Sequence, residues 1–330
     1  MTRERFANAR RGRLLLAVPI CAWAISWPVM KIGIAEVPPI WFGCLRYFIA
    51  TVFLAAILAI RGRLAVPSRP DWRLVLVSGA LQMAAFSALT GLALRVLPAG
   101  RASILAYSTP MWVVPLSALL LNEPLSRKAV LGLAFGLAGI VLIAAPSLHP
   151  GYGGQLAGYA MLLGAAAAWA TSILCVRGHR FHGTALDLAP WQMLIATLLL
   201  LPLAIWIEGP PPAIGARGAW ALAYVGPFGT AVAYWAIVEA GRRLPASVVS
   251  MALLATPIVG TAISVLTLGE PITGTLILAM ALIGSGIRLA TAPSRARLPA
   301  AAGLASAGTG PLFAPCTVAR GEPHEGQDAA

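Results

Sequence analysis

The residues of this 330-residue chain that could do chemistry lie inside long apolar runs. Trp23, Trp27 and Lys31 recur every four residues, so a helix would place them on one face, with Ser26 nearby. Aromatic rings can stack on a ligand or hold a cation, and a lysine or a serine adds a polar contact. The same residues can instead pack in a core, and Lys31 can extend its ammonium group to a membrane interface. Both interpretations stay open.

Other apolar runs carry similar aromatic and polar residues. Trp169 and Ser172 follow Trp23 and Ser26 at an offset of 146 residues. The residues that we expect to contact a small molecule are Trp23, Ser26, Trp27, Lys31, Gln82, Phe86, Tyr107, Trp169, Ser172, Tyr234 and Trp235. The tryptophans near the ends of apolar runs are instead expected in an interfacial belt, and these are Trp41, Trp72, Trp191, Trp206 and Trp220.

The sequence has no pattern typical of metal or nucleotide chemistry. HExxH, GxSxG and P-loop motifs are absent, and His179 and His182 lie in a basic loop without carboxylates. The four cysteines are far apart and show no metal-ligand spacing. We therefore expect no metal, no cofactor and no enzymatic activity.

The composition indicates the environment of these residues. Hydrophobic residues make up 59% of the chain and charged residues 11%, whereas soluble domains carry about 25% charged residues. Too few charges are available to cover a water-exposed surface, so the apolar residues must face a lipid bilayer. The formal charge of +13 then indicates basic cytoplasmic loops rather than a nucleic-acid partner.

The apolar runs predict an all-α polytopic membrane protein with ten transmembrane helices, since about 20 apolar residues cross a bilayer. The runs are 14–34, 40–60, 73–94, 101–121, 128–146, 155–176, 188–207, 219–239, 247–268 and 273–291. The first follows a basic segment, 1–13, and is interpreted as a retained span rather than a cleaved leader. The tail, 292–330, is rich in Ala, Gly and Pro, and is predicted to be disordered and cytoplasmic.

The distribution of basic residues predicts the orientation. Ten spans divide the 24 lysines and arginines so that 18 lie on the side of the N-terminus. The opposite side has Arg95, Arg101 and Arg217, and the spans contain Lys31, Arg46 and Arg288. Because lysine and arginine concentrate in cytoplasmic loops, both termini are predicted to be cytoplasmic. The expected location is the cytoplasmic membrane of a bacterium.

The chain contains an internal repeat. Residues 97–147 align without a gap to residues 244–294, with Thr-Pro at 109 and 256 and Glu-Pro at 123 and 270. We therefore predict five-helix repeats over 14–146 and 155–291, joined by a Gly-rich connector at 147–154. An odd number of spans inverts the second repeat relative to the first. Inverted repeats are characteristic of secondary transporters, whose substrate site lies between the halves.

These motifs carry a family resemblance. Leu121-Asn122-Glu123-Pro124, Ala233-Tyr234-Trp235, Arg242 to Ser247 and Leu268-Gly269-Glu270-Pro271 resemble the EamA-like drug/metabolite transporters over about residues 13–291. Asn122 stands where the family usually has Gly. The resemblance implies ten helices around a central cavity, with alternating access and export or exchange of amino acids and other small metabolites.

Two prolines and two glutamates in the repeat are candidate moving parts. Pro110 and Pro257 are either hinges beside the substrate or static bends. Glu123 and Glu270 either cap the helix that follows each of them or pair with basic residues to hold a gate closed. Arg46, which matches Gln192 at an offset of 146, is a charge inside a span that could contact an anionic group.

The function that we expect is secondary transport of a small metabolite, by export or exchange, without a P-loop to hydrolyse ATP. The expected partners are the lipid bilayer and a small-molecule substrate, with a homo-oligomer left open. A membrane-embedded sensor or enzyme is the alternative, and its signature would be a catalytic pair in adjacent spans or an added soluble domain. A passive channel is a third alternative, which saturable counterflow would exclude.

Overall fold

The computed structural model describes residues 2–121, 125–145, 153–176, 184–244 and 246–290, and all regular structure within these ranges is helical. We number the helices α1 to α10 in chain order. Six are continuous: α1 (Thr2–Gly33), α2 (Pro39–Ile60), α5 (Arg127–Ala144), α6 (Gly153–Val176), α7 (Ala185–Glu208) and α10 (Gly274–Ala290).

Four helices change geometry along their length. A π-helical segment interrupts two of them: α3 (Arg69–Asp71, Trp72–Val77, Ser78–Ala85, Phe86–Val96) and α8 (Ala216–Tyr224, Val225–Val232, Ala233–Gly241). A short break divides the other two: α4 (Ala99–Ala106, Thr109–Leu121) and α9 (Ala246–Leu253, Ala255–Leu268).

The predicted apolar runs each overlap one of these helices. Within the described residues, eight helices, α1 to α8, are long and apolar enough to cross a membrane. The second part of α9 and α10 are apolar but shorter, at 14 and 17 residues. The chain is therefore an all-helical polytopic membrane protein. The tail (292–330), Glu123 and most of the connector lie outside the described residues.

Local sequence explains several helix boundaries. Thr184 and Asp187 form a capping box at the start of α7, and the Ser126 hydroxyl accepts the backbone N–H of Ala129 in α5. Gly269 ends α9 in the left-handed conformation, with φ of 66°. Pro28 lies inside α1 and does not end it. The helix continues through it to Gly33, as bilayer-spanning helices can when neighbouring groups replace the lost hydrogen bond.

Small residues bring α5 and α10 into close contact. A Cβ added at Gly132 would lie 2.6 Å from the carbonyl oxygen of Gly286, and one added at Gly286 would lie 2.6 Å from that of Gly132. Gly139 similarly approaches the Ala279 carbonyl. Backbones this close require glycine, which is typical of helix pairs in membranes.

The buried core and the outer surface are both apolar, as a bilayer requires. Ile40, Leu58, Met193 and Leu200 lie in a core between α2 and α7. Large apolar side chains also face outwards, and Trp206 is 82% exposed, as predicted for the belt. Trp41 does not face lipid as predicted: it is buried and its indole N–H donates to the Gly209 carbonyl, 3.1 Å away.

Candidate functional site

The two π-helical segments stand at equivalent places in the repeat. Ser78–Ala85 and Val225–Val232 are separated by 147 residues, the offset of the sequence repeat. Their contacts are equivalent too. A Cβ at Gly79 would meet Ile195 of α7 at 2.8 Å, and one at Gly226 would meet Ile49 of α2 at 2.7 Å. The π segment of each half thus packs against a helix of the other half. Such segments occur frequently at functional sites.

Beside each π segment lies a polar pair that joins neighbouring helices of one half. The Arg46 guanidinium of α2 donates through Nη2 to the Ser87 hydroxyl of α3 at 3.0 Å. At the equivalent position of the second half, the Tyr234 hydroxyl of α8 donates to Gln192 Oε1 of α7 at 3.3 Å. One pair contains a cation, whereas the other is neutral.

The structure brings part of the predicted aromatic set together. The rings of Phe86 and Trp169 meet edge to face, with centroids 5.1 Å apart at an interplanar angle of 79°. Trp27 is buried in a core cluster against which Phe86 and Tyr107 pack. Tyr234 packs against the other large cluster, together with Trp235. Aromatic rings of both halves thus approach one another through Phe86 and Trp169.

The polar members of the predicted set have different surroundings. The Ser26 hydroxyl donates to the Ala22 carbonyl of its own helix at 2.7 Å, and Gly229 of α8 approaches it closely. The Ser172 hydroxyl is buried and has no hydrogen-bond partner within the described structure. Trp23, Gln82 and Trp169 are half-buried. Ser172 therefore has an unused polar group in α6, three residues beyond Trp169.

Lys31 binds the end of a neighbouring helix. Its Nζ donates to the carbonyl oxygen of Leu97 at 2.9 Å and also to that of Leu94. These carbonyls lie at the carboxyl end of α3, where a cation is favoured by the helix dipole. The structure thus gives the lysine a helix-capping role.

Three carboxylates link the two halves at one end of the molecule, which we call the carboxylate end. Glu270, after α9, accepts the backbone N–H groups of Ala99 and Gly100 in α4 at 2.5 and 2.9 Å. Glu208 of α7 accepts those of Ile40 and Trp41 in α2. Each carboxylate satisfies free N–H groups at a helix start.

The third link runs in the opposite direction between the halves. Glu36, after α1, accepts the backbone N–H of Gly218 in the first turn of α8 at 2.8 Å. Glu270 was expected either to cap the helix that follows it or to hold a gate. It caps a helix, but that helix is α4 of the other half. Glu36 and Glu208 were not singled out from the sequence, although each lies at the end of an apolar run.

At the opposite end, which we call the arginine end, carboxylates pair with arginines. Arg63, after α2, lies 2.8 Å from Asp187 of α7 and joins the two halves. Glu239 of α8 pairs with Arg242 and Arg243 of the next turn. The acidic residues named above thus lie at helix ends. The aromatic rings of the predicted set lie between the carboxylate end and the arginine end of the molecule.

Both candidate hinges lie directly beyond a break in a helix. In α4 the helix stops at Ala106 and resumes at Thr109, so that Pro110 stands in the new first turn. In α9 the break falls at Leu254, and Pro257 follows in the first turn of the second part. Proline is accommodated in a first turn because its missing N–H has no partner there.

The fold and this arrangement define a class: a polytopic helical membrane protein with a duplicated unit whose halves contact each other through equivalent segments. Comparison with known proteins gives the family. The EamA-like transporter family model matches residues 10–145 and 156–292. This chain belongs to the EamA-like transporter family.

Individual relatives are similar over most or part of their length. The uncharacterized transporter YoaV of Bacillus subtilis is 26% identical over 82% of this chain and 92% of its own length. The uncharacterized transporter YvbV of the same organism is 30% identical over 60% of this chain. A probable amino-acid metabolite efflux pump of Salmonella typhimurium is 26% identical over 61% of this chain. The chain spans 64% and 66% of the lengths of the latter two.

A solved structure supports the fold alone. A chain described as "Crystal structure of protein" superposes with a TM-score of 0.59 at 23% identity, covering 87% of this chain and 99% of that one. The family is one of transporters, and the relatives are named as transporters or as a probable efflux pump.

Proposed function

We propose that this chain is a secondary transporter that exports or exchanges small metabolites, such as amino acids or related amphiphiles, by alternating access. The observation that carries the proposal is that the π segment of each half packs against a helix of the other half. Gly79 packs against α7, and Gly226 packs against α2. Two halves with equivalent contacts can adopt two arrangements of similar energy, one open to each side.

The proposed membrane arrangement has ten spans in two inverted five-helix repeats, over 14–146 and 155–291, with both termini in the cytoplasm. The arginine end then faces the cytoplasm and the carboxylate end faces outwards. This assignment is supported by the basic residues that flank the arginine end, such as Arg61, Arg63, Arg242 and Arg243.

The proposed substrate path lies between the ends, where α1, α3, α6 and α8 carry the predicted aromatic and polar residues. Trp23, Trp169 and Trp235 shape the pocket, with Phe86 holding Trp169 edge to face. Gln82 and Ser172 supply hydrogen bonds, and Ser172 is available because its hydroxyl has no partner in the described structure.

The three carboxylate caps form the proposed outer gate, closed in this structure. Glu36, Glu208 and Glu270 each join a carboxylate of one half to a helix start of the other. Opening this end requires at least the Glu270 link to break, and the break beside Pro110 or Pro257 allows α4 or α9 to bend. Glu123, the equivalent of Glu270 in the repeat, lies outside the described residues, and its gating role is proposed from the repeat alone.

The test is transport by the purified protein in proteoliposomes. We expect saturable counterflow of a subset of amino acids, which a channel or a sensor would not show. Trp23→Ala and Trp169→Ala should each lower this counterflow. The proposal is wrong if no amino acid, related metabolite or amphiphile exchanges in either direction while the protein remains folded and correctly inserted.

A further inference from the structure

Arg46 is a charge inside the apolar part of α2. It is the eighth residue of the 22-residue helix α2, in which a stretch of 18 residues has a mean hydropathy of 2.1. At a rise of 1.5 Å per residue, it stands roughly 10 Å along the helix from Pro39. Ionisable residues at such depth are costly, and they face a bundle interior or a ligand path rather than lipid.

The groups around Arg46 do not neutralise its charge. Nη2 donates to the Ser87 hydroxyl, Nη1 lies 3.3 Å from Met30 Sδ, and Nε is buried without an acceptor. A thioether is a weak acceptor, and the ring of Tyr47, 4.5 Å from the guanidinium carbon, adds only a cation–π contact. Within the described residues, no carboxylate forms an ion pair with Arg46.

The acidic residues of the described structure are committed elsewhere. Glu36, Glu208 and Glu270 cap helices at the carboxylate end, and Asp187 and Glu239 pair with arginines at the arginine end. Asp71 accepts a hydrogen bond from the Ser68 hydroxyl at the start of α3. Within the described part of the chain, the half-buried Arg46 guanidinium therefore lacks a counter-ion at its own depth, although a charge removed from water is stable when it is paired and hydrogen-bonded.

The repeat shows that this position is polar in both halves but charged in only one. Arg46 and Ser87 correspond to Gln192 and Tyr234, which hydrogen-bond to each other. A Cβ at Gly226 would contact the Arg46 carbonyl at 3.4 Å, and one at Gly79 would contact the Gln192 carbonyl at 2.8 Å. Each pair thus lies beside a π segment that packs against the other half. The pair in the first half is cationic, and the pair in the second half is neutral.

We propose that Arg46, with Ser87 beside it, binds the carboxylate of the transported substrate, and that Gln192 and Tyr234 form the neutral end of the same site. The inference rests on the transport function proposed above and names its substrate class: small amphiphiles with a free carboxylate. A guanidinium offers two parallel N–H groups, which match the two oxygens of a carboxylate. Cationic amphiphiles without a carboxylate are repelled.

The experiment compares each acid with its uncharged amide, using N-acetyl-leucine and N-acetyl-phenylalanine against N-acetyl-leucinamide and N-acetyl-phenylalaninamide. Binding is measured by thermal shift of the purified protein, and transport by counterflow in proteoliposomes. Arg46→Gln introduces the residue found at the equivalent position of the second half, and Arg46→Lys keeps the charge but not the two parallel N–H groups of the guanidinium. Arg288→Gln is the matched control, because Arg288 lies in the last turn of α10.

We expect the wild type and Arg288→Gln to bind at least one acid at least tenfold more tightly than its amide. Arg46→Gln should lose this preference, and Arg46→Lys should retain it with weaker binding of the acid. If Arg46→Gln does not fold, the Arg46→Lys comparison decides the question: unchanged affinity for the acid and its amide overturns the proposal.

The possible failures are distinguishable. Equal binding of acids and amides by the wild type, or an unchanged preference in Arg46→Gln, overturns the carboxylate site even if transport is active. A lower melting temperature with an unchanged preference assigns Arg46 a structural role and also overturns it. Acid binding that depends on Arg46 without any counterflow supports the site and contradicts the transport function.

Discussion

At the scale of single residues, the structure separates side chains with free bonding capacity from those already engaged. Lys31 is held by the carboxyl end of α3, and Ser26 by a carbonyl of its own helix. Arg46 Nε and the Ser172 hydroxyl are buried without a partner in the described structure. A ligand gains most from groups that it does not have to detach from protein, so Arg46 and Ser172 are better candidate contacts than Lys31.

Trp169 gives the first residue-scale prediction. Trp169→Ala removes the ring that meets Phe86 edge to face, so we expect a loss of substrate affinity of roughly two- to tenfold, as for one aromatic contact. The measurement is the concentration dependence of counterflow. Trp206→Ala is the control, because Trp206 is 82% exposed. A similar loss in both variants would contradict the placement of Trp169 in the site.

Glu270 gives the second residue-scale prediction. Glu270→Gln keeps the shape of the side chain but removes its charge. It also removes one of the two oxygen acceptors, of which Oε1 accepts from Ala99 and Oε2 from Gly100. We expect a loss of stability of about 0.5–2 kcal/mol, as for other helix caps. A reporter cysteine placed at Thr261, which is 6% exposed, should also react faster with a water-soluble thiol reagent, because the carboxylate end opens more often.

The control for this variant is Glu239→Gln at the arginine end, where Glu239 pairs with Arg242 and Arg243. It should leave the reactivity at Thr261 unchanged. Equal reactivity in all three proteins would show that Glu270 stabilises a helix without holding the carboxylate end closed.

At the scale of helices, the positions of glycine residues determine which two helices can approach each other closely. Gly286 and Gly284 lie on the same helix, α10, but only Gly286 faces the backbone of α5. Gly286→Ala should lower stability by roughly 1–3 kcal/mol, since overpacking forces the helices apart. Gly284→Ala, with open space at its Cβ, should be neutral or raise stability by up to about 1 kcal/mol. Thermal unfolding in detergent measures both, and equal effects would refute the packing argument.

The same scale explains the breaks in α4 and α9. Thr-Pro occurs at the same place in both repeats, and each break precedes its proline by two to three residues. The sequence alone leaves each proline as either a hinge or a static bend. The structure adds that it is a short gap between two helical parts, which leaves each proline in a favourable first turn.

At the scale of the whole molecule, the contacts between the halves determine which movements are allowed. The Gly100 carbonyl of α4 accepts a bond from the Thr261 hydroxyl of α9 at 3.4 Å. A Cβ added at Gly100 would lie 3.4 Å from the Thr261 Cα. Cysteines at both positions are therefore close enough for a disulfide.

We predict that Gly100→Cys combined with Thr261→Cys, with the four native cysteines replaced, stops counterflow when oxidised. Reductant should restore transport, because it frees the carboxylate end to open. Each single cysteine variant is the control and should be insensitive to oxidant. Full transport by the cross-linked double variant would contradict alternating access through this end.

Some properties of this protein depend on residue order alone. Runs of apolar residues located the helices, the offset of 147 residues revealed the duplication, and the scarcity of charges required lipid. These signals are local or periodic, so they survive without knowledge of the fold. The family resemblance rested on the same repeated Thr-Pro and Glu-Pro motifs, and the family match confirmed it.

Which polar groups meet depends instead on how the helices pack. Glu270 caps α4, about 170 residues away in sequence, rather than the helix that follows it. Arg46 reaches Ser87, while its repeat equivalent Gln192 receives a bond from Tyr234. The physical reason is that a buried polar group is paired by whichever helix lies beside it, and the packing of the helices sets that neighbour.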